Sequence, residues 1–265
     1  MNEFLYTGDS TAFKAFETPD GNDELSQLVS IGKLLEVSTG KKMIDVSHYA
    51  RPNTRLADYV LKINKQAPVI WLFACPVASL FWREHNNAWP AIHSSNTDLA
   101  YELITAVDYN KIYNQIANDE LNVINNIGLP IGLIGGSGDI SEEQIVNYKN
   151  LSIIHPSWYQ YLAKAADIPL QSKHMLAELL HVIVNIFFPA KGIVWNQLWQ
   201  VDRNFYNNIP VNQSLIDDIY KIYSWREAMH NAGYICHNHP NVKSNVLFHN
   251  LIKDKAKDYL NDNTK

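Results

Sequence analysis

The chain has 265 residues, of which 46% are hydrophobic and 18% charged, and its formal net charge is −5. This is the balance of a soluble globular protein, and an acidic chain of this kind is not built to wrap a phosphate backbone, so nucleic acid is not an expected partner. Met1–Tyr6 carries no basic region, and the most apolar run, Leu179–Pro189, is too short and too polar to cross a bilayer. A cytoplasmic location without membrane contact is therefore expected. Cys75 and Cys236 form no CxxC pair and are expected as free thiols in a reducing compartment.

Phe4–Tyr6 reads as a short buried strand that runs into Gly8-Asp9-Ser10, where a glycine can turn the chain and Asp9 or Ser10 can cap a helix. The apolar spacing over Leu25–Leu35 predicts a helix that Gly40 ends. Met43–Val46 follows as a second strand. Asn53 or Thr54 is placed to cap a helix over Leu56–Ile63. Val69–Ala74 is apolar throughout, as a central parallel strand covered on both faces would be.

Beyond Cys75-Pro76-Val77, residues 78–98 read as an ordered insertion rich in tryptophan and histidine, and Leu99–Ile124 as mostly helix. Pro130–Ile134 is a strand leading into Gly135-Gly136-Ser137-Gly138-Asp139. That loop lacks the spacing of a P-loop, and Asp139 or Ser141 can cap a helix over Glu142–Tyr148. Leu151–Ile154 is the fifth strand. Helices are expected over Tyr159–Ala166, Lys173–Phe188, Gln213–His230 and Val246–Tyr259. His174 and His181, seven apart, are expected as core or surface residues rather than metal ligands. Strands alternating with helices imply a three-layer α/β/α fold with a parallel, flavodoxin-like sheet of about five strands and additional C-terminal helices. The chain reads as one domain, 1–265, with the insertion around 78–98 and a helical elaboration around 159–230.

The last expected helix is preceded by Tyr-Ile-Cys-His-Asn-His-Pro-Asn, which carries His237 and His239. His237, His239 and Cys236 could share a metal, but the spacing is too compact for a standard zinc signature, and no H-E-x-x-H is present. No metal or other cofactor is expected.

Gly8-Asp9-Ser10 directly after the first strand, together with His239-Pro240-Asn241 before the last helix, resembles the SGNH, or GDSL-like, hydrolase superfamily. The resemblance implies an esterase or deacetylase type of hydrolase on a three-layer α/β fold, with Ser10 as nucleophile and His239 as base. A small-molecule or glycan ester is the implied substrate. The sequence departs from the family at two places. Cys236 stands where the family has the aspartate of Asp-x-x-His, and Ala74-Cys75-Pro76-Val77 replaces Gly-x-Asn-Asp. Asn53 is then a candidate oxyanion donor, and Asp139 and His237 are candidates to orient the base. A binding or structural protein on the same scaffold, without catalysis, is the alternative that these departures support. An unrelated or metal-dependent enzyme is the second alternative.

Overall fold

The computed structural model describes residues 2–9, 12, 29–48, 51–63, 65–81, 91–189, 203–236 and 239–263. Five strands make the central sheet: β1 (Glu3–Thr7), β2 (Lys42–Asp45), β3 (Val69–Phe73), β4 (Ile131–Gly135) and β5 (Leu151–His155). All neighbours pair in parallel, in the order β2-β1-β3-β4-β5. This is a flavodoxin-like order, and the parallel pairing is what the alternation of strands and helices implies.

Helices cover both faces. On one lie α1 (Ile31–Thr39), α6 (Trp158–Ala166) and α10 (Val242–Asp262), packed on Phe4, Tyr6, Ile70 and Leu72. On the other lie α2 (Asn53–Ile63), the C-terminal half of α4 (Tyr109–Asn125) and α5 (Glu142–Ile145), packed on Leu5, Val69, Trp71 and Phe73. Successive residues of a strand point to opposite faces, so β3 has to be apolar at every position, and all five of its residues are buried. Each such side chain contributes about 1.5–3 kcal/mol by leaving water.

A third apolar cluster lies beyond the end of β3. It joins the 3-10 turn Pro76–Leu80, α3 (Thr97–Thr105), the first half of α4, α7 (His174–Phe187) and α9 (Gln213–Asn231), with Tyr206 from the short α8 (Arg203–Tyr206). α9 belongs to two clusters at once. Leu215, Ile216, Ile219 and Ile222 lie in this helical layer, whereas Trp225 and Met229 reach the core on the α1 and α10 face of the sheet. The helices after Tyr159 therefore pack on the sheet as well as on each other.

Several elements differ from their sequence patterns for identifiable reasons. The expected helix Leu99–Ile124 is two helices, because Asp108 accepts a hydrogen bond from the Lys111 N–H and starts α4 afresh. The helix expected over Leu25–Leu35 begins at Ile31, capped by Ser30; residues 25–28 lie outside the described residues. Ser141 and Gln144 close a reciprocal capping box, which makes Ser141 the cap of α5, a helix of only four residues. A two-stranded hairpin, β6 (Ile235–Cys236) and β7 (His239–Pro240), precedes α10. Of the insertion, residues 82–90 lie outside the described residues; its flanks are joined by a bridge between Phe81 and Ile92. No disulfide joins the buried Cys75 and Cys236. Among the described residues no helix is long and apolar enough to cross a membrane.

Candidate functional site at the carboxyl ends of the strands

In this strand order the chain leaves β1 toward one edge of the sheet and leaves β3 toward the other. The carboxyl ends of these two strands are therefore the topological switch point, the place where open α/β sheets bind ligands. Gly8 and Asp9 occupy that point. A side chain at Gly8 would fall 2.4 Å from Ala12 Cβ and 2.9 Å from Leu72 Cβ, so only glycine fits. The Ala12 N–H donates to the Asp9 carbonyl at 3.0 Å. Ser10, the candidate nucleophile, lies outside the described residues, and so does His237.

A single hydroxyl ties three strand ends together. Ser137 Oγ, past β4, donates to Asp9 Oδ2 at 2.5 Å and accepts from the Cys75 N–H, past β3, at 2.9 Å. All three residues are buried. Burial pushes the Cys75 thiol far up, and the nearby Glu120 and Asp9 carboxylates add to the shift, so Cys75 is a neutral, inert wall residue.

His239 sits in β7, paired through the backbone with Cys236. Asn241 caps α10 by accepting from the Ser244 N–H, and its amide donates to the Gly233 carbonyl, which fixes the hairpin on the helix start. α10 runs against the strand direction. Its Tyr259 hydroxyl donates to the Val69 carbonyl at the beginning of β3, and its Asn245 amide donates to the Val29 carbonyl beside the start of α1. The hairpin thus lies toward the same end of the sheet as Asp9, on the face that α1 and α10 share.

Asn53 is neither a helix cap nor an available oxyanion donor. It is the first residue of α2, is fully buried, and has all four of its hydrogen-bonding positions committed within the protein. Its Nδ2 donates to the Ala74 carbonyl at 2.9 Å and to Glu120 Oε2 at 2.6 Å. Its Oδ1 accepts from Trp71 Nε1 and from the Ala74 N–H, both at 3.0 Å. The role of Asn53 is to hold the end of β3 to α2 and α4. Burial pushes the carboxyl of Glu120 up to about 8 against the hydrogen bond from Asn53, which favours the protonated form at neutral pH.

Asp139 follows β4 in a loop pressed onto the end of β5, where a side chain at Gly135 would lie 1.9 Å from the Pro156 carbonyl oxygen. Burial raises the Asp139 carboxyl above its ordinary range, opposed by the Ser157 hydroxyl and by Lys173. Burial lowers the Lys173 ammonium, opposed by Asp139 and Cys75, and its Nζ lies 3.9 Å from the centre of the Tyr113 ring. Neither Asn53 nor Asp139 bonds to His239; Asp139 instead forms the inner wall of a cleft of about 540 Å³ between α4 and α5.

Sequence reasoning did not single out Ser137, Glu120 or Lys173. Glu120 left a signal, since it falls between Ile116 and Ile124 at four-residue spacing, on the apolar side of α4. Among the described residues no three His, Cys, Asp or Glu side chains come together as a metal-binding group. Comparison with family models, curated proteins and solved structures finds no match to this chain.

Proposed function

We propose that the protein is a serine-dependent hydrolase of carboxylic esters, with Ser10 as nucleophile and His239 as base. One observation carries this reading. The strand order puts Gly8 and Asp9 at the switch point between β1 and β3, and the hairpin bearing His239 lies toward the same end of the sheet. In this reading His239 accepts the Ser10 hydroxyl proton as the oxygen attacks the ester carbonyl, then returns it to the leaving alcohol. Water repeats the two steps on the acyl-enzyme and releases the acid. The Ser10 N–H is the proposed oxyanion donor. With Asn53 committed elsewhere, the proposed site lacks a second assigned donor, so slow turnover is expected.

Hydrolysis of p-nitrophenyl acetate and labelling by a fluorophosphonate test the reading together. Both are expected in the wild type and absent in Ser10→Ala, while His239→Ala loses hydrolysis with its fold intact by circular dichroism. Undiminished hydrolysis in Ser10→Ala, or no labelling of the wild type, would overturn it. A binding protein on the same scaffold is the reading that then stands, and it is favoured by the complete internal commitment of Asn53 and by Cys236 at the place of a carboxylate.

A further inference from the structure

We propose that the cleft between α4 and α5 binds an uncharged saccharide, whether or not ester chemistry takes place at the end of β1. The cleft measures about 540 Å³, within the usual range for small-ligand sites. Asn114 and Asn118 stand one turn apart on α4 and so present their carboxamides side by side, and Asn147 faces them from the segment after α5. None of these three side chains has a hydrogen-bond partner among the described residues, and all three are exposed. Each carboxamide offers two donors and an acceptor, the complement of a hydroxyl that both donates and accepts.

The rest of the lining fits the same ligand. The half-buried Tyr148 offers its ring to the C–H face of a sugar, with the buried Ile140 in the lining, whereas the Tyr113 ring already carries Lys173 Nζ. The two charged groups at the back, Asp139 and Lys173, are opposite in sign and stabilise each other, so the inner wall asks for no net charge. An anion would meet Glu143 at the rim and Asp139 behind it, and a cation would meet Lys173. A purely aliphatic ligand would strip water from three carboxamides without replacing their hydrogen bonds. The site is also held open in advance. The Tyr148 hydroxyl donates to the Asn118 carbonyl at 3.2 Å, tying one wall to the other, and the capping box of Ser141 and Gln144 fixes the start of α5. Little ordering is then required on binding.

Saturation-transfer NMR and calorimetry on the full chain with cellobiose, maltose, xylobiose and N-acetylglucosamine test the proposal, with butyrate, inorganic phosphate and ethanolamine as controls. At least one saccharide is expected to bind with a Kd of about 1 mM or tighter. Binding should weaken at least tenfold in the triple variant Asn114→Ala, Asn118→Ala, Asn147→Ala, whose exposed positions leave the melting temperature unchanged. Asn118→Trp, which fills the cleft, should remove it. Binding should persist in Ser10→Ala and His239→Ala, which separates this proposal from the hydrolase reading. No saccharide bound, a control bound in preference, or affinity unmoved in the triple variant and in Asn118→Trp would each overturn it.

Discussion

Two sets of asparagines stand on either side of α4 and obey opposite rules. Asn53 is fully buried beneath Ala74, and each of its donors and acceptors is matched inside the protein. Asn114 and Asn118 on the helix itself, and Asn147 opposite, are exposed, and their side chains have no hydrogen-bond partner among the described residues. The same functional group is structural in one place and available in the other. The cause is desolvation: a carboxamide taken out of water without partners costs roughly 1–3 kcal/mol, so a buried one is kept only where it is saturated. An exposed one has no such debt and keeps its hydrogen bonds for a ligand.

The sharpest way to break this contrast is at Asn53. Asn53→Ala would strip partners from the Trp71 indole, both backbone groups of Ala74 and Glu120, and a loss of about 3 kcal/mol or more is expected in urea unfolding. A loss below about 1 kcal/mol would show that the network does not hold the end of β3.

Ser137→Ala comes next. It removes a charge-assisted bond to Asp9 and leaves the Cys75 N–H without its acceptor, for an expected loss of about 2 kcal/mol by the same measurement.

Glu120→Gln keeps an acceptor for the Asn53 amide and changes only the titration. The folded carboxyl titrates near 8, above its ordinary value, so the native state holds a proton that the unfolded chain releases. The stability due to the neutral form is full below the ordinary carboxylate range and drains as pH rises through about 8. The wild type should therefore lose stability between about pH 5 and pH 9 relative to Glu120→Gln. Parallel stability curves for the two proteins across that window would refute a protonated Glu120.

Asn114→Ala should change stability by no more than about 0.5 kcal/mol, as expected of an exposed side chain with no hydrogen-bond partner among the described residues. A larger loss would place Asn114 with Asn53 rather than apart from it.

The five strands were legible because each is a short apolar run followed by turn residues, and the pattern in Val69–Ala74 located the middle of the sheet. Of the caps, Ser141 was legible, as a small polar residue just ahead of an expected helix, whereas Ser30 fell inside the helix expected over Leu25–Leu35 and caps it instead. Asn53 shows the limit of such reasoning. An asparagine at a helix start reads as a cap, and only the approach of β3 and α4 turns it inward. The bond from Ser137 to Asp9 spans 128 residues, and no local pattern encodes a contact of that range. The hairpin around His239 was missed because two strands of two residues each carry no period. The cleft carboxamides had no signal either, since asparagines on the solvent side of a helix look alike until the opposing wall is in place.

α10 carries a consequence for how the protein is made. Phe248, Ile252, Ala256 and Leu260 cover the same face of the sheet as Phe4, Tyr6, Ile31 and Leu35, and the bond from Asn245 to Val29 joins residues 216 apart. At about 5–20 residues per second, a ribosome needs roughly 10–40 s to bridge that distance. During that interval that side of β1 has α1 over it but not α10. The other side can close early, because α2 and β3 follow within seventy-odd residues of β1. The nascent chain thus passes through a stage in which α1 covers that sheet face only in part, and the apolar surface left for α10 is of the kind that chaperones hold.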